Sequence, residues 1–289
     1  MGSPVRCSTV FSALGSQDAR ATITAMLITR RAALLAGLGV VLAACGEDGP
    51  AVGTWSHGSF VSARRGGART GWAILYPPGH DKARLSVLIA LHGRGGDHTD
   101  AYRSLHLDQY LADAVRHGVA PFAIASVDGG DHDYWHPRRE ADPAGMVIHE
   151  FLPLLAAHGL QTQRVGLLGW SMGGYAALYL AGLLRAERCA VMVAESPAIW
   201  HHSWQSVEGA FDDAADFGRH RIFGRQALLR GIPLRIDCGA EDGFAPVTRD
   251  LRASINPTPA GGIEPGGHNA SYWRSQAPVQ LAFVGRHLR

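Results

Sequence analysis

No long basic run, no apolar stretch of bilayer-spanning length and only four cysteines occur in this chain of 289 residues. The formal net charge is +2. Without clustered Lys and Arg, the electrostatic footprint of a nucleic-acid binder is missing. The longest apolar run, residues 32–44, has thirteen positions, whereas a membrane-crossing helix takes about 20. The glycines match neither the GK[ST] nor the GxGxxG phosphate-binding pattern, so no nucleotide cofactor is expected. Charged residues make up 18% and hydrophobic ones 46%, enough apolar material for a sizeable core. That length accommodates one large domain or two small ones.

The apolar run follows Thr29-Arg30-Arg31 and has the length of a secretory h-region behind a positive n-region. The paired arginines resemble a twin-arginine export signal. Leu42-Ala43-Ala44-Cys45-Gly46 resembles a bacterial lipobox. That resemblance implies cleavage before Cys45, lipid on its sulfur, and anchorage to the outer face of the cytoplasmic membrane in the cell envelope. An ordinary signal peptide with an incidental cysteine is the alternative. Residues 1–25 are rich in Ser, Ala and Thr and precede Met26. Either Met26 is the true initiator or Met1 opens a long n-region. Residues 1–45 are therefore read as a leader and 46–53 as a tether. The folded domain is expected in residues 54–289.

Two cysteines then remain, Cys189 and Cys238. One opens an expected strand and the other closes one. On parallel neighbours, rising ~3.3 Å per residue, their sulfurs lie about 15–20 Å apart. A disulfide needs Cα atoms within roughly 7 Å, so both are expected as small buried thiols.

From residue 54 onward, short apolar strands alternate with helical stretches, the signature of βαβ units. Residues 59–64 and 70–76 alternate in polarity like half-exposed edge strands. Residues 86–91 (SVLIAL), 121–126, 164–168, 190–194 and 234–238 are apolar on both faces, like inner parallel strands. Helices are expected over 107–117, 143–158, 172–184, 244–254 and 271–288. Residues 198–231 break the rhythm and carry Trp200, Trp204, Phe211, Phe217 and Phe223. They read either as a cap over one sheet end or as a packing excursion that thickens the domain.

Chemistry concentrates at Gly169-Trp170-Ser171-Met172-Gly173-Gly174. The pattern is GxSxG, with a strand before and a helix after, as a nucleophile elbow requires. Glycines two residues either side of Ser171 remove collisions in a sharp turn. A serine hydroxyl needs a base, and the base needs an orienting acid. In such sites the partners follow in the order Ser, acid, His. Asp242 follows the 234–238 strand and is the expected acid, with Glu241 as close rival and Asp237 within the strand as third choice. His268, between Gly267 and the closing helix, is the expected base. The oxyanion donors are expected to be the N–H of Met172 and that of Arg94, in LHGRGGD after the 86–91 strand. Gly93 or Gly95 are the alternatives to Arg94. The Arg94 side chain either meets an anionic substrate at a pocket rim or forms a structural salt bridge. His92 is expected to pin that loop. Asp128, Asp131, His132, Asp133 and His136 crowd one further loop, but their spacing fits neither an EF-hand nor a zinc signature. No metal is expected there.

LHGRGGD, GWSMGG, IDCGAED and PGGHNASYW together resemble the α/β-hydrolase superfamily, and within it the esterase branch that includes esterase D-like, feruloyl-esterase-like and antigen 85-like mycolyltransferase proteins. The resemblance runs from about Gly71 to the C-terminus. It implies a mostly parallel sheet of about eight strands flanked by helices, a Ser171–His268–Asp242 triad, no cofactor, and a small-molecule or envelope ester as substrate. It also marks Tyr134-Trp135-His136 as a recurrent loop that lines the site, alongside Trp170 and Trp200. The mycolyltransferase comparison implies a Glu acid, so Asp242 leans the reading from acyl transfer toward ester hydrolysis. The rival from another class is a binding lipoprotein that keeps the fold without catalysis, against which the intact Ser, acid and His argue.

Overall fold

Strands with apolar residues at every position must be covered on both faces, and the centre of this sheet is built from them. The computed structural model of the chain describes residues 53–288. The expected leader, Cys45 and nearly all of the tether lie outside those residues. The strands are β1 (Thr54–Ser62), β2 (Ala68–Tyr76), β3 (Ser86–Leu91), β4 (Ala123–Val127), β5 (Gln161–Trp170), β6 (Cys189–Glu195), β7 (Leu234–Gly239) and β8 (Ile263–Glu264). They form one eight-stranded sheet in the order β1-β2-β4-β3-β5-β6-β7-β8. The first two pairings, β1 with β2 and β2 with β4, are antiparallel. All the others are parallel.

β3 shows how the sequence covers both faces. Val87, Ile89 and Leu91 join one apolar core, and Leu88 and Ala90 join the other. Period-two alternation therefore persists, but both sets are buried. Burying each such side chain contributes about 1.5–3 kcal/mol.

The helices are α1 (Asp100–Arg103), α2 (Leu107–Arg116), α3 (Pro143–Met146), α4 (Leu152–Ala157), α5 (Met172–Arg188), α6 (Ala214–His220), α7 (Ala245–Ala253) and α8 (Ala270–His287). Leu107 and Leu111 of α2 pack with Leu281 and Val284 of α8 on one face of the sheet. Phe151, Leu155, most of α5 and Leu251 of α7 fill the other. None of the described helices is long and apolar enough to cross a membrane.

Three sequence expectations need correction. β2 is no edge strand: it pairs on both sides, and Trp72–Tyr76 are buried. Of the two strands expected at an edge, only β1 lies at one. The single helix expected over 143–158 is interrupted by a wider turn at Val147–Phe151, just before Pro153. Proline cannot donate to the preceding turn, and the widened turn absorbs the missing bond. β8 is absent from the expected strands, because two residues carry no readable pattern. The regular part of α5, by contrast, ends where its periodicity does, since Arg185 adopts φ +56°.

Cys189 and Cys238 are both buried and free. They sit at opposite ends of the parallel pair β6 and β7, as the strand arithmetic requires.

The carboxyl ends of β3, β5, β6 and β7 converge on one edge. α5 approaches that edge so closely that a Cβ on Gly173 would lie 1.9 Å from the Leu91 carbonyl oxygen. Gly169 faces the same limit, 2.0 Å from the Gly173 oxygen. The two glycines of GxSxG are thus where backbone meets backbone, and no side chain fits between.

Candidate active site

Ser171 occupies the turn between β5 and α5 with φ +56° and ψ −119°. Such a conformation costs a non-glycine residue on the order of 1–3 kcal/mol. It is held from both sides. The Ser171 N–H donates to the Glu195 carbonyl at 2.9 Å, and the Ser171 carbonyl accepts from Tyr175 at 3.1 Å and from Ala198 at 2.9 Å. The side chain is left to project from the turn.

His268 lies in the loop between β8 and α8, and Asn269 caps α8 by accepting from the Tyr272 N–H at 3.1 Å. His268 Nε2 stands 2.9 Å from Ser171 Oγ. Its Nδ1 stands 2.7 Å from Asp242 Oδ2. A carboxylate only accepts, so Nδ1 carries the hydrogen and Nε2 offers its lone pair to the serine hydroxyl. Of the three acids considered, only Asp242 meets the imidazole. Glu241 instead accepts from the Gly266 N–H at 2.5 Å and so braces the loop that carries His268. Asp237 is fully buried within β7, bound by Arg235 at 2.7 and 3.0 Å and by Gln280 at 3.0 Å.

Burial alone would raise the Asp242 carboxyl. Hydrogen bonds from His268, the Phe244 N–H and Ser196 outweigh it and hold Asp242 below the ordinary carboxylate value. The acid therefore stays ionised beneath the ring. The ring itself is flanked by Phe244, with centroids 5.4 Å apart, and by the edge of Trp273 at 5.1 Å.

Sequence reasoning misses three supporting residues. Ser196 adopts φ +45° at the end of β6. Its N–H donates to Asp237 at 2.8 Å. Its Oγ accepts the Trp273 indole N–H at 3.1 Å, which directs its own hydrogen to Asp242. Trp273 thus touches the imidazole and fixes the serine that fixes the acid. Glu195 is the third. Burial, reinforced by the charge of Asp237 beside it in the register, raises its carboxyl well above the usual range. It stays neutral, so no second charge forms beside Asp237. Only a position five residues beyond His268, on the first turns of α8, could have marked Trp273. Nothing local marks Ser196 or Glu195.

A cleft of about 450 Å³ opens over this array, lined by Gly93, Arg94, Tyr134, Ser171, Phe244 and Trp273 among others. A larger depression of about 630 Å³, bounded by residues 226–234 and 254–259, includes neither Ser171 nor His268. In the loop after β3, the Gly95 N–H is committed to Asp131 at 3.0 Å and the Gly96 N–H to Gly93 at 3.1 Å. That removes Gly95 as an oxyanion donor and leaves Gly93 and Arg94, both of which line the cleft. The Met172 amide, first in α5, has no partner one turn back within the helix. His92 bridges two loops, with Nδ1 donating to the Gly93 carbonyl at 2.8 Å and Nε2 accepting from Gly129 at 2.9 Å.

The expected lining set holds only in part. Tyr134 and Trp170 line the cleft. Trp135 and His136 do not: both are fully buried, and the Trp135 indole N–H donates to the His92 carbonyl at 3.2 Å. Trp200 stands behind the wall, 5.8 Å from the Tyr134 ring and 5.7 Å from Phe244, centroid to centroid. The acids of the 128–136 loop also disperse. Asp128 accepts from Gly71 at 2.8 Å and from the His98 N–H and ring at 2.7 Å, while His132 pairs with Asp131 at the surface.

Such an array suits acyl transfer: a hydroxyl with a base in reach and an ionised orienter, beneath an open cleft. Replacing Ser196 by Ala removes one donor from Asp242 without touching the nucleophile. The rate at which a fluorophosphonate labels Ser171 is then expected to fall about tenfold. Labelling at the wild-type rate contradicts the bracing role.

A family model described as "Putative esterase" matches residues 63–284. No curated protein matches the chain. Among solved structures, a ferulic acid esterase is 18% identical with a TM-score of 0.71, covering 81% of this chain and 99% of its own. A fluorophosphonate-binding serine hydrolase of Staphylococcus aureus is 18% identical with a TM-score of 0.65, covering 81% and 99%. An S-formylglutathione hydrolase from Agrobacterium tumefaciens is 16% identical with a TM-score of 0.68, covering 82% and 96%. The shared architecture is the α/β-hydrolase fold.

Proposed function

The chain belongs to this esterase family, and on that premise we propose that it cleaves carboxylic esters through an acyl-enzyme on Ser171. The observation that carries the reading is the unbroken chain from Ser171 Oγ through the His268 ring to Asp242, at 2.9 and 2.7 Å. His268 Nε2 takes the hydroxyl proton as Oγ attacks the ester carbonyl. Asp242 keeps the imidazole in the required tautomer and stabilises its cation. The amides of Met172 and Arg94 receive the oxyanion. His268 then returns the proton to the leaving alcohol. Water, activated by the same imidazole, releases the acid and frees Ser171. The cleft walls of Tyr134, Phe244 and Trp273 favour an ester with an apolar body. Trp200 and Phe211 buttress that wall from residues 198–231, which supports reading the segment as a cap that sets acyl selectivity.

The export signal and lipobox of residues 29–46 support placing this hydrolase in the cell envelope, held at the membrane through lipidated Cys45. A clickable fatty-acid label fed to producing cells is expected on the wild-type chain and absent from the Cys45→Ala variant. Equal labelling of both removes the anchor from the account.

For the chemistry, Ser171→Ala in the full chain is expected to reduce p-nitrophenyl acetate turnover by about 10⁴-fold or more. Undiminished turnover rejects the proposal.

A further inference from the structure

Away from the cleft, three side chains meet under the cap. His136 comes from the loop after β4, and Asp216 and His220 lie one turn apart on α6. His136 and Asp216 are almost wholly buried, at 0% and 2% exposure, and His220 is 9% exposed. His136 Nε2 stands 3.2 Å from Asp216 Oδ2, and His220 Nδ1 stands 2.9 Å from Asp216 Oδ1.

His136 Nδ1 faces two acceptors. Tyr175 gives its single hydroxyl hydrogen to the His220 carbonyl at 2.9 Å. Toward His136 Nδ1, 3.3 Å away, the same oxygen can therefore only accept. The Tyr134 carbonyl, 3.1 Å from Nδ1, also only accepts. Both neighbours fix the hydrogen on Nδ1. Nε2, on the side of Asp216, is then the ring atom that can turn a lone pair toward a cation.

At His220 a ring nitrogen is left over. Its Nδ1 is buried and forms no hydrogen bond, although Asp216 Oδ1 is near, because the ring does not point an N–H along that line. Asp216 already receives the Asp212 N–H at 3.0 Å and Arg219 at 3.3 Å. Two ring nitrogens beside one buried carboxylate, one of them with no hydrogen-bond partner, are what a shared cation satisfies.

We propose that His136, Asp216 and His220 bind one divalent transition-metal ion, zinc by the chemistry of the donor set, which fastens α6 to the loop carrying Tyr134. The three ligand atoms lie within 4.8 Å of one another. A tetrahedral zinc with bonds of about 2.0–2.2 Å needs its ligand atoms roughly 3.3 Å apart. Two imidazoles and a carboxylate select zinc over calcium or magnesium, which take oxygen ligands. A fourth position is left for water. The Nδ1–H bonds of His136 to Tyr134 and Tyr175 are the outer contacts that orient a metal-bound imidazole. A surface cleft of about 310 Å³ reaches the cluster and includes Asp212, Asp216, Arg219 and His220, giving the ion an entry path. Of the arginines nearby, Arg138 is bound by Asp212 at 2.8 and 3.0 Å and Arg139 pairs with Asp213, while Arg219, 60% exposed, reaches Asp216 at 3.3 Å and must swing to solvent when the ion binds. The site needs no part of the esterase proposal. Its role is to hold the wall residue Tyr134 against the cap.

The test uses the full chain, freed of metal by chelation and dialysed against zinc chloride. About one zinc per chain is expected by mass spectrometry of the metal. A hundredfold excess of zinc over its Kd is expected to raise Tm by about 5–10 °C. His136→Gln and His220→Gln are expected to lose both effects. Cobalt in place of zinc is expected to give visible d–d bands without a thiolate charge-transfer band. Absence of stoichiometric zinc and of any Tm shift in the wild-type chain overturns the proposal without recourse to a variant. So does a thiolate band, or zinc bound equally by the folded variants, since either puts the ion on other side chains.

Discussion

A strained serine backbone is the constraint around which this molecule is arranged. Ser171 holds φ +56°, and nothing in its own sequence would keep it there. Carbonyl and amide groups from the end of β6 hold the turn in place, through Glu195 and Ala198. Those groups are available because β6 lies beside β5 in a parallel sheet with both carboxyl ends on one edge. The same edge receives Asp242 after β7 and His268 after β8. Parallel pairing, glycine at the two contact points and the backbone clamp are therefore one solution: they bring residues 171, 242 and 268 within hydrogen-bond reach.

Polar atoms around the array are assigned with little freedom. Asp242 takes hydrogens from a ring, a backbone amide and a hydroxyl, and so remains an anion despite burial. Ser196 can give its hydrogen to Asp242 because Trp273 already occupies its lone pair. Glu195, one residue away, is kept neutral by the same burial and by Asp237. Burial thus pushes both acids upward, and the donors each one meets decide the net direction.

The inner strands are legible in the sequence because a short run that is apolar on both faces has to be covered from two sides. Ser171 and Asp242 are legible because each follows a strand that ends at the same edge, and His268 because it stands in a loop between glycines and the closing helix. β8 is too short to carry a period. β2 resembles an edge strand because its first residues alternate, although Trp72–Tyr76 already form an unbroken apolar run. His136 resembles a cleft residue because Tyr134, two residues earlier, belongs there. Its positive-φ neighbours, Tyr134 and Trp135, turn the chain inward instead. Its meeting with Asp216 joins residues 80 positions apart, and no local pattern announces such a contact. Ser196 and Glu195 are hidden for the same reason: their roles depend on Trp273 and Asp237, which arrive from other elements.

Rapid quenching of the full chain with a slowly hydrolysed ester, followed by peptide mass spectrometry, addresses the central claim most directly. The account predicts that the acyl group is found on the peptide containing Ser171, attached to that hydroxyl, and that it disappears at the rate of turnover. Turnover with the acyl group on another residue, or with no covalent intermediate under conditions where deacylation limits the rate, would contradict it.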